Sequence, residues 1–139
     1  MTKQEFSDIE EIRAYFARDE MATKCLGAHV DAVDPATHEA VVSMTIDDRH
    51  HNGHGFVMGG VIFSLADFAL AVCSNVGQKP TASVSSAIQY MSRARGARLI
   101  ATARADKSGR TLGFYTVDVT DELGTHVARM TATCMRTSH

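Results

Sequence analysis

Two periods of apolar residues run along this chain, and each predicts a different kind of element. Ile9, Ile12 and Phe16 fall at helical spacing. Ahead of them, Ser7-Asp8-Ile9-Glu10 has the form of a capping box, in which a hydroxyl and a carboxylate three residues apart satisfy each other's free backbone donors. Together these signals predict a first amphipathic helix reaching about Glu20, inside an N-terminal helical segment 1–22. From Gly27 to Val33 and again from His38 to Ile46 the period shortens to two. Ala40, Val42, Met44 and Ile46 alternate there with polar or smaller neighbours, as on a half-buried strand. Asp34-Pro35-Ala36-Thr37 supplies the turn between the two strands.

A His- and Gly-rich loop from Asp47 to Met58 leads into Gly59-Gly60 and a mostly apolar run, predicting a central helix over 59–76 with Gly77 beyond it as a stop. Everything after Pro80 reads as strand. Ala82, Val84, Ser86, Ile88 and Tyr90 alternate with Ser83, Ser85, Ala87, Gln89 and Met91. Leu99, Ala101, Ala103 and Ala105 do the same against Arg98, Thr102 and Arg104, and two more strands follow near Thr111 to Thr120 and Thr125 to Arg136. Lys107-Ser108-Gly109 and Glu122-Leu123-Gly124 are glycine-containing hairpin connections. Consecutive hairpins imply an antiparallel meander of four strands. The order therefore predicts an α+β architecture in one domain, 1–139, with the second helix lying on one face of the sheet.

Composition narrows the class. Of 139 residues, 45% are hydrophobic and 22% charged, which is enough apolar material for one core and excludes general disorder. The net charge of −2, with Lys and Arg scattered, offers no basic face, so nucleic acid is not an expected partner. The N-terminus lacks the apolar stretch of a signal peptide. The apolar run from Val61 to Cys73 is broken by Asp67 and is shorter than the roughly 20 residues that span a bilayer. Cys25, Cys73 and Cys134 are far apart, with no metal or disulfide spacing. A cytoplasmic protein with reduced thiols and no membrane association is the expectation.

Along the central helix, positions 60, 64, 67, 71 and 74 share one stripe: Gly60, Ser64, Asp67, Ala71 and Ser74. Val61, Ile62, Leu65, Phe68 and Val72 flank it as the side chains a sheet would bury. Asp67 is the only ionisable group between Val61 and Ser74 other than the Cys73 thiol. In apolar surroundings a carboxylate either finds donors or has its pKa raised, and both suit a general base, although pairing with a surface Arg or capping a loop would be an ordinary structural role. Gly59-Gly60 at the helix start could bring free N–H groups close to an oxyanion, or could be simple loop flexibility. Gly59 and Asp67 lie eight positions apart, about 12 Å along one helix, too far to act on one carbon. Two antiparallel copies packed through the small stripe would bring Asp67 of one chain near Gly59 of the other.

The segment Asn52-Gly53-His54-Gly55-Phe56-Val57-Met58-Gly59-Gly60, followed by Val61-Ile62-Phe63-Ser64-Leu65-Ala66-Asp67, resembles the core motif of PaaI-type (phenylacetate-degradation) hotdog thioesterases. In that motif Asn precedes His-Gly-Gly, and an apolar stretch ends in Leu-any-Asp. The order of elements fits over nearly the whole chain. The resemblance implies a hotdog fold, with a long central helix wrapped by an antiparallel sheet of about six strands. It also implies dimers, often dimers of dimers, that hydrolyse acyl-CoA without metal or cofactor. Carried onto matching positions, Asp67 becomes the general base or nucleophile and Gly59 the oxyanion N–H donor. Asn52 becomes an amide orienting carbonyl or water, and Ser83 a hydroxyl placing the water from the same subunit as Asp67. One departure stands out: Met58 occupies the usual His position, and a thioether donates no hydrogen bond. His54 lies four residues earlier.

Other groups have competing readings. His50, His51 and His54, with Asp47 and Asp48 nearby, could suggest a metal, but without a Cys or paired carboxylate the expectation is exposed loop histidines and no metal. Cys73 on an apolar helix has no cation to make it a thiolate, so a buried structural thiol is expected. Gly60, Met58, Ser64, His54, Arg93 and Arg110 are the candidate substrate contacts; Arg93, Arg95, Lys107 and Arg110 could reach CoA phosphates, although solvated surface charge is the commoner fate of such residues. Attack by water, or by Asp67 itself through an anhydride, uses the same atoms. Two rivals are a non-catalytic acyl-CoA or lipid-binding hotdog protein, motivated by Met58, and a hotdog dehydratase or hydratase, which the absence of His at 58 disfavours.

Overall fold

The structure, a computed structural model, describes residues 2–137. Its elements run α1 (Ile9–Phe16), a single π-turn (Met21–Cys25), β1 (His29–Asp34), β2 (Glu39–Thr45), a 3-10 turn (Asp48–His50) and α2 (Gly59–Asn75). Strands β3 (Thr81–Tyr90), β4 (Arg98–Ser108), β5 (Leu112–Asp121) and β6 (His126–Arg136) complete the chain. The predicted α+β order and hotdog architecture are observed: a six-stranded antiparallel sheet lies along a 17-residue helix. The turn between β1 and β2 is where expected, with the Asp34 carboxylate accepting the Ala36 N–H at 3.0 Å.

Three details differ from the sequence reading. The N-cap of α1 is Asp8, not Ser7; its carboxylate accepts the Glu11 N–H at 2.9 Å, and Glu11 accepts the Ser7 N–H in return. The predicted capping box is therefore not formed as such: the Asp8 carboxylate caps the helix, while Glu11 reaches one residue further back, to the N–H before the cap. Next, α1 ends at Phe16 rather than near Glu20. Phe16 packs edge-on against Phe68 of α2, and the chain has to turn there so that Ala22 and Leu26 can also enter the core. Finally, the sheet order is β1-β2-β4-β5-β6-β3, so β4, β5 and β6 form the meander while β3 crosses to the far edge and pairs with β6. No tight hairpin joins β3 to β4. Their connection is held instead by Asp121, which accepts the N–H groups of Arg95 and Gly96 at 2.8 and 3.0 Å, and by Glu122, which accepts those of Ala97 and Arg98.

Leu65, Ala66, Ala69 and Val72 of α2 are fully buried against Val42, Leu99, Ala101, Ala103, Val117 and Val119. Small alanines on β4 let the helix lie close to the sheet. Truncating Leu65 to Ala would cost about 2–5 kcal/mol by opening a cavity. Most sides of α2 are covered. Gly60 and Asp67 are exposed and Ser64 and Ala71 half-buried, so the predicted small stripe is the face the chain leaves open, apart from Ser74, which is buried.

Candidate active site

At the start of α2 the loop over 52–58 is tied to itself. The Asn52 side-chain oxygen accepts the N–H groups of His54 and Phe56 at 2.9 and 3.2 Å, leaving its amide –NH2 as the group free to donate. The Met58 carbonyl caps the first turn by accepting the N–H groups of Val61 and Ile62. The amides of Gly59 and Gly60 have no backbone acceptor among the described residues, as the first donors of any helix lack one. They carry the positive end of the helix dipole. Asn52, Phe56, Gly59, Ile62, Tyr90 and Arg93 line a cavity of about 490 Å3 at this point. The Arg93 guanidinium lies over the Phe56 ring, 4.0 Å from its centre. Tyr90 donates its hydroxyl to the Gly59 carbonyl at 3.0 Å, and a Cβ on residue 59 would stand 3.2 Å from that ring. A larger residue at 59 would push the half-exposed Tyr90 ring aside by a few tenths of an ångström and disturb that bond.

Asp67 opens into a second cavity of about 200 Å3, shared with Ser64, Phe68 and Asp19. Here the expectation of a carboxylate sunk among aliphatic side chains needs correcting: within a single chain Asp67 is exposed, because the sheet covers the opposite side of α2. Enough protein still lies against the carboxyl that burial raises its pKa, with the negative charge of Asp19 adding to the effect. No hydrogen-bond or ion-pair partner reaches the Asp67 carboxylate among the described residues.

The sequence-derived site residues thus fall into groups. Asn52, Gly59 and Arg93 share the first cavity, and Ser64 and Asp67 the second. Ser83 lies on edge strand β3 directly across from Cys134, whose buried thiol feels the Asp67 charge, so Ser83 is turned to the α2 side of the sheet. Arg110 is apart from all of these. It lines a cavity of about 290 Å3 beyond the other end of α2, with Lys3, Lys79 and Arg136. Met58 is 48% exposed and bonds to no cap donor through its side chain, and His54 and Gly60 are exposed, lining none of the three cavities.

Of the three loop histidines, His50 is buried rather than exposed: its ring Nδ1 accepts the Asp47 N–H at 3.0 Å and closes the 3-10 turn. No group of three or more metal-ligating side chains occurs among the described residues. Cys73 is buried, its thiol pushed up to about 12 by burial and donating to the His38 carbonyl. Sequence reading missed Tyr90, Phe56 and Asp19. Tyr90 was legible only as the end of an alternating strand and Asp19 only as helix surface.

Comparison with known proteins adds to this geometry. The model of the thioesterase superfamily matches residues 54–128, from the loop before α2 into β6. The chain belongs to the thioesterase superfamily. A putative esterase of Deinococcus radiodurans is 38% identical over 78 residues, 56% of this chain, which spans about half (53%) of that relative's length. The acyl-coenzyme A thioesterase PaaI of Escherichia coli is 32% identical over 105 residues, 75% of this chain and 74% of the relative. The structure of the E. coli PaaI protein from the phenylacetic acid degradation operon matches with a TM-score of 0.82 at 26% identity, covering 91% of this chain and 92% of that one. The resemblance to PaaI-type hotdog thioesterases is thereby established.

The two cavities thus hold different groups: Gly59, whose N–H has no backbone acceptor among the described residues, lines the larger, and the unpartnered Asp67 carboxylate lines the smaller. The two residues are eight positions apart, about 12 Å along α2.

Proposed function

We propose that this protein hydrolyses acyl-CoA thioesters to the free acid and CoA, at a site shared between two copies of the chain. What supports the reading most is a single feature of α2: its Gly59 amide, which has no backbone acceptor among the described residues, and its unpartnered Asp67 carboxylate line two separate cavities, too far apart to meet one thioester within one helix. A two-fold dimer closes that gap. Strand β3 supports the same assembly, being an edge of the sheet with exposed side chains and backbone groups left for pairing. A dimer of such dimers is the proposed working form.

In this reading the thioester carbonyl rests against the Gly59 N–H of one protomer, with the Asn52 –NH2 orienting it. Asp67 of the partner subunit and its Ser83 hold the attacking water, which loses a proton to the carboxylate. Charge gathering on the carbonyl oxygen is met by the helix N-terminus. Collapse of the tetrahedral intermediate then expels CoA as thiolate. Arg93 is proposed to meet CoA at the mouth of the larger cavity, and Arg110 a CoA phosphate. Cytoplasmic location and a single domain over 1–139 complete the proposal; among the described residues no helix is long and apolar enough to cross a membrane.

Free-thiol release from a panel of acyl-CoA esters tests the reaction, and it is expected to proceed without added metal. Single turnover in heavy-oxygen water separates the two routes: label entering the free acid alone is expected for direct water attack, whereas label in the Asp67 carboxylate would establish the anhydride. The exposed Met58 side chain, unable to donate where the family has His, favours a second reading as an acyl-CoA-binding protein without turnover. Saturable acyl-CoA binding with no thiol released would select it.

A further inference from the structure

Asp19 belongs to the segment between α1 and the π-turn, well away from the motif that carries the proposed chemistry, yet it lines the same cavity of about 200 Å3 as Asp67. Its position is held from both sides. Its N–H donates to the Phe16 carbonyl at 3.0 Å, and its own carbonyl accepts the N–H and the hydroxyl of Thr23, both at 3.0 Å. Phe16 before it and Ala22 after it are core residues, and Phe16 sits edge-on to Phe68, the neighbour of Asp67 on α2. Among the described residues neither carboxylate has a cation or a hydrogen-bond donor, and no cationic side chain lines the cavity. Arg18, next to Asp19, is turned away, stacked on Tyr15 and donating to its carbonyl. Asp19 and Asp67 are both exposed, so water screens their repulsion, but with no cation between them the negative charge of Asp19 still bears on Asp67 across the cavity they share.

Building on the reading of Asp67 as base, we propose that Asp19, across the shared cavity, is a positioning residue for it, whose negative charge adds to the effect of burial on Asp67 and so moves the pH at which hydrolysis switches on. A base with a more tightly held proton takes one from water more readily. The cost is that it must first be deprotonated, so activity begins at higher pH. Asp19 is the charge that bears on Asp67 from the N-terminal segment, and Cys134 is the titratable group that faces it from β6. The Cys134 thiol is pushed up to about 11 by burial and stays neutral through the working range. It therefore leaves the acid limb to Asp67.

The test is the pH dependence of thiol release from an acyl-CoA by the full chain, for wild type, Asp19→Asn, Asp19→Ser and Asp19→Glu, with Asp67→Asn as control. Removing the charge should move the acid limb to lower pH. Well below the midpoint, Asp19→Asn and Asp19→Ser would keep roughly three times more of their plateau rate than wild type keeps of its own. The plateau itself should fall by about twofold to threefold as the base weakens. Asp19→Glu should hold the wild-type limb, and raising salt should shift the wild-type limb toward that of Asp19→Asn by screening the pair. A limb that stays in place in both neutral variants, whatever their amplitude, would overturn the proposal and leave Asp19 a structural residue. Full activity in Asp67→Asn would be a different failure, that of the base assignment itself.

Discussion

Asp67 and Asp121 are two carboxylates that the fold treats in opposite ways. Asp121 is 2% exposed and takes four N–H groups, those of Arg95, Gly96, Leu123 and Thr125, at 2.8–3.0 Å. Burial alone would raise its pKa, but these bonds win and hold the carboxyl far below the usual range. Asp67 stands in the open with no donor, and burial together with Asp19 pushes it the other way. Exposure by itself would have misled: the buried acid is locked and inert, whereas the exposed one keeps its lone pairs free. What marks a carboxylate for chemistry is the absence of partners, since every donor it accepts lowers its basicity.

Substitution at each acid should break the comparison in a different measurement. The largest effect is expected from Asp67→Asn, which should lower the rate of acyl-CoA hydrolysis by about a hundredfold to a thousandfold with little change in melting temperature. A loss of stability in place of activity would reverse the two roles. Asp121→Asn should instead cost about 2 kcal/mol in denaturant unfolding, because backbone donors lose an ionised acceptor. Its folded pKa is depressed, so that contribution is complete above the ordinary carboxylate range and disappears as pH falls toward the folded value. The stability gap between wild type and Asp121→Asn should therefore close in acid. Smallest is Tyr90→Phe, which removes the bond to the Gly59 carbonyl and should slow hydrolysis about threefold, seen in kcat more than in KM, if that bond aligns the helix start.

How much of this could be read in advance depended on distance along the chain. The central helix was legible to within a residue, because the apolar run and Gly77 beyond it are local signals, and Gly77 does adopt φ +72°. Likewise the stripe 60, 64, 67 and 71 emerged open as periodicity required, since faces are set by the helical repeat alone. The capping residue at Asp8 was one position off because two adjacent side chains can both satisfy the same donors. Placing β3 next to β4 failed for a different reason: strand neighbours are chosen by long-range pairing, and Asp121 and Glu122 stabilise the wide connection from more than twenty residues away.

By itself, the sequence determined which stretches become helix or strand and which side of each is apolar, because those choices rest on propensities and periods that act over a few residues. It also carries the motif, with Asn52, Gly59 and Asp67, through which the chain resembles its family. Only the tertiary structure decided the strand order and the closeness of Tyr90 to Gly59. It alone brought Asp19 into the cavity that Asp67 lines. Such placements come from burying apolar surface between segments far apart in the chain, and no local pattern of side chains encodes which distant segment will arrive.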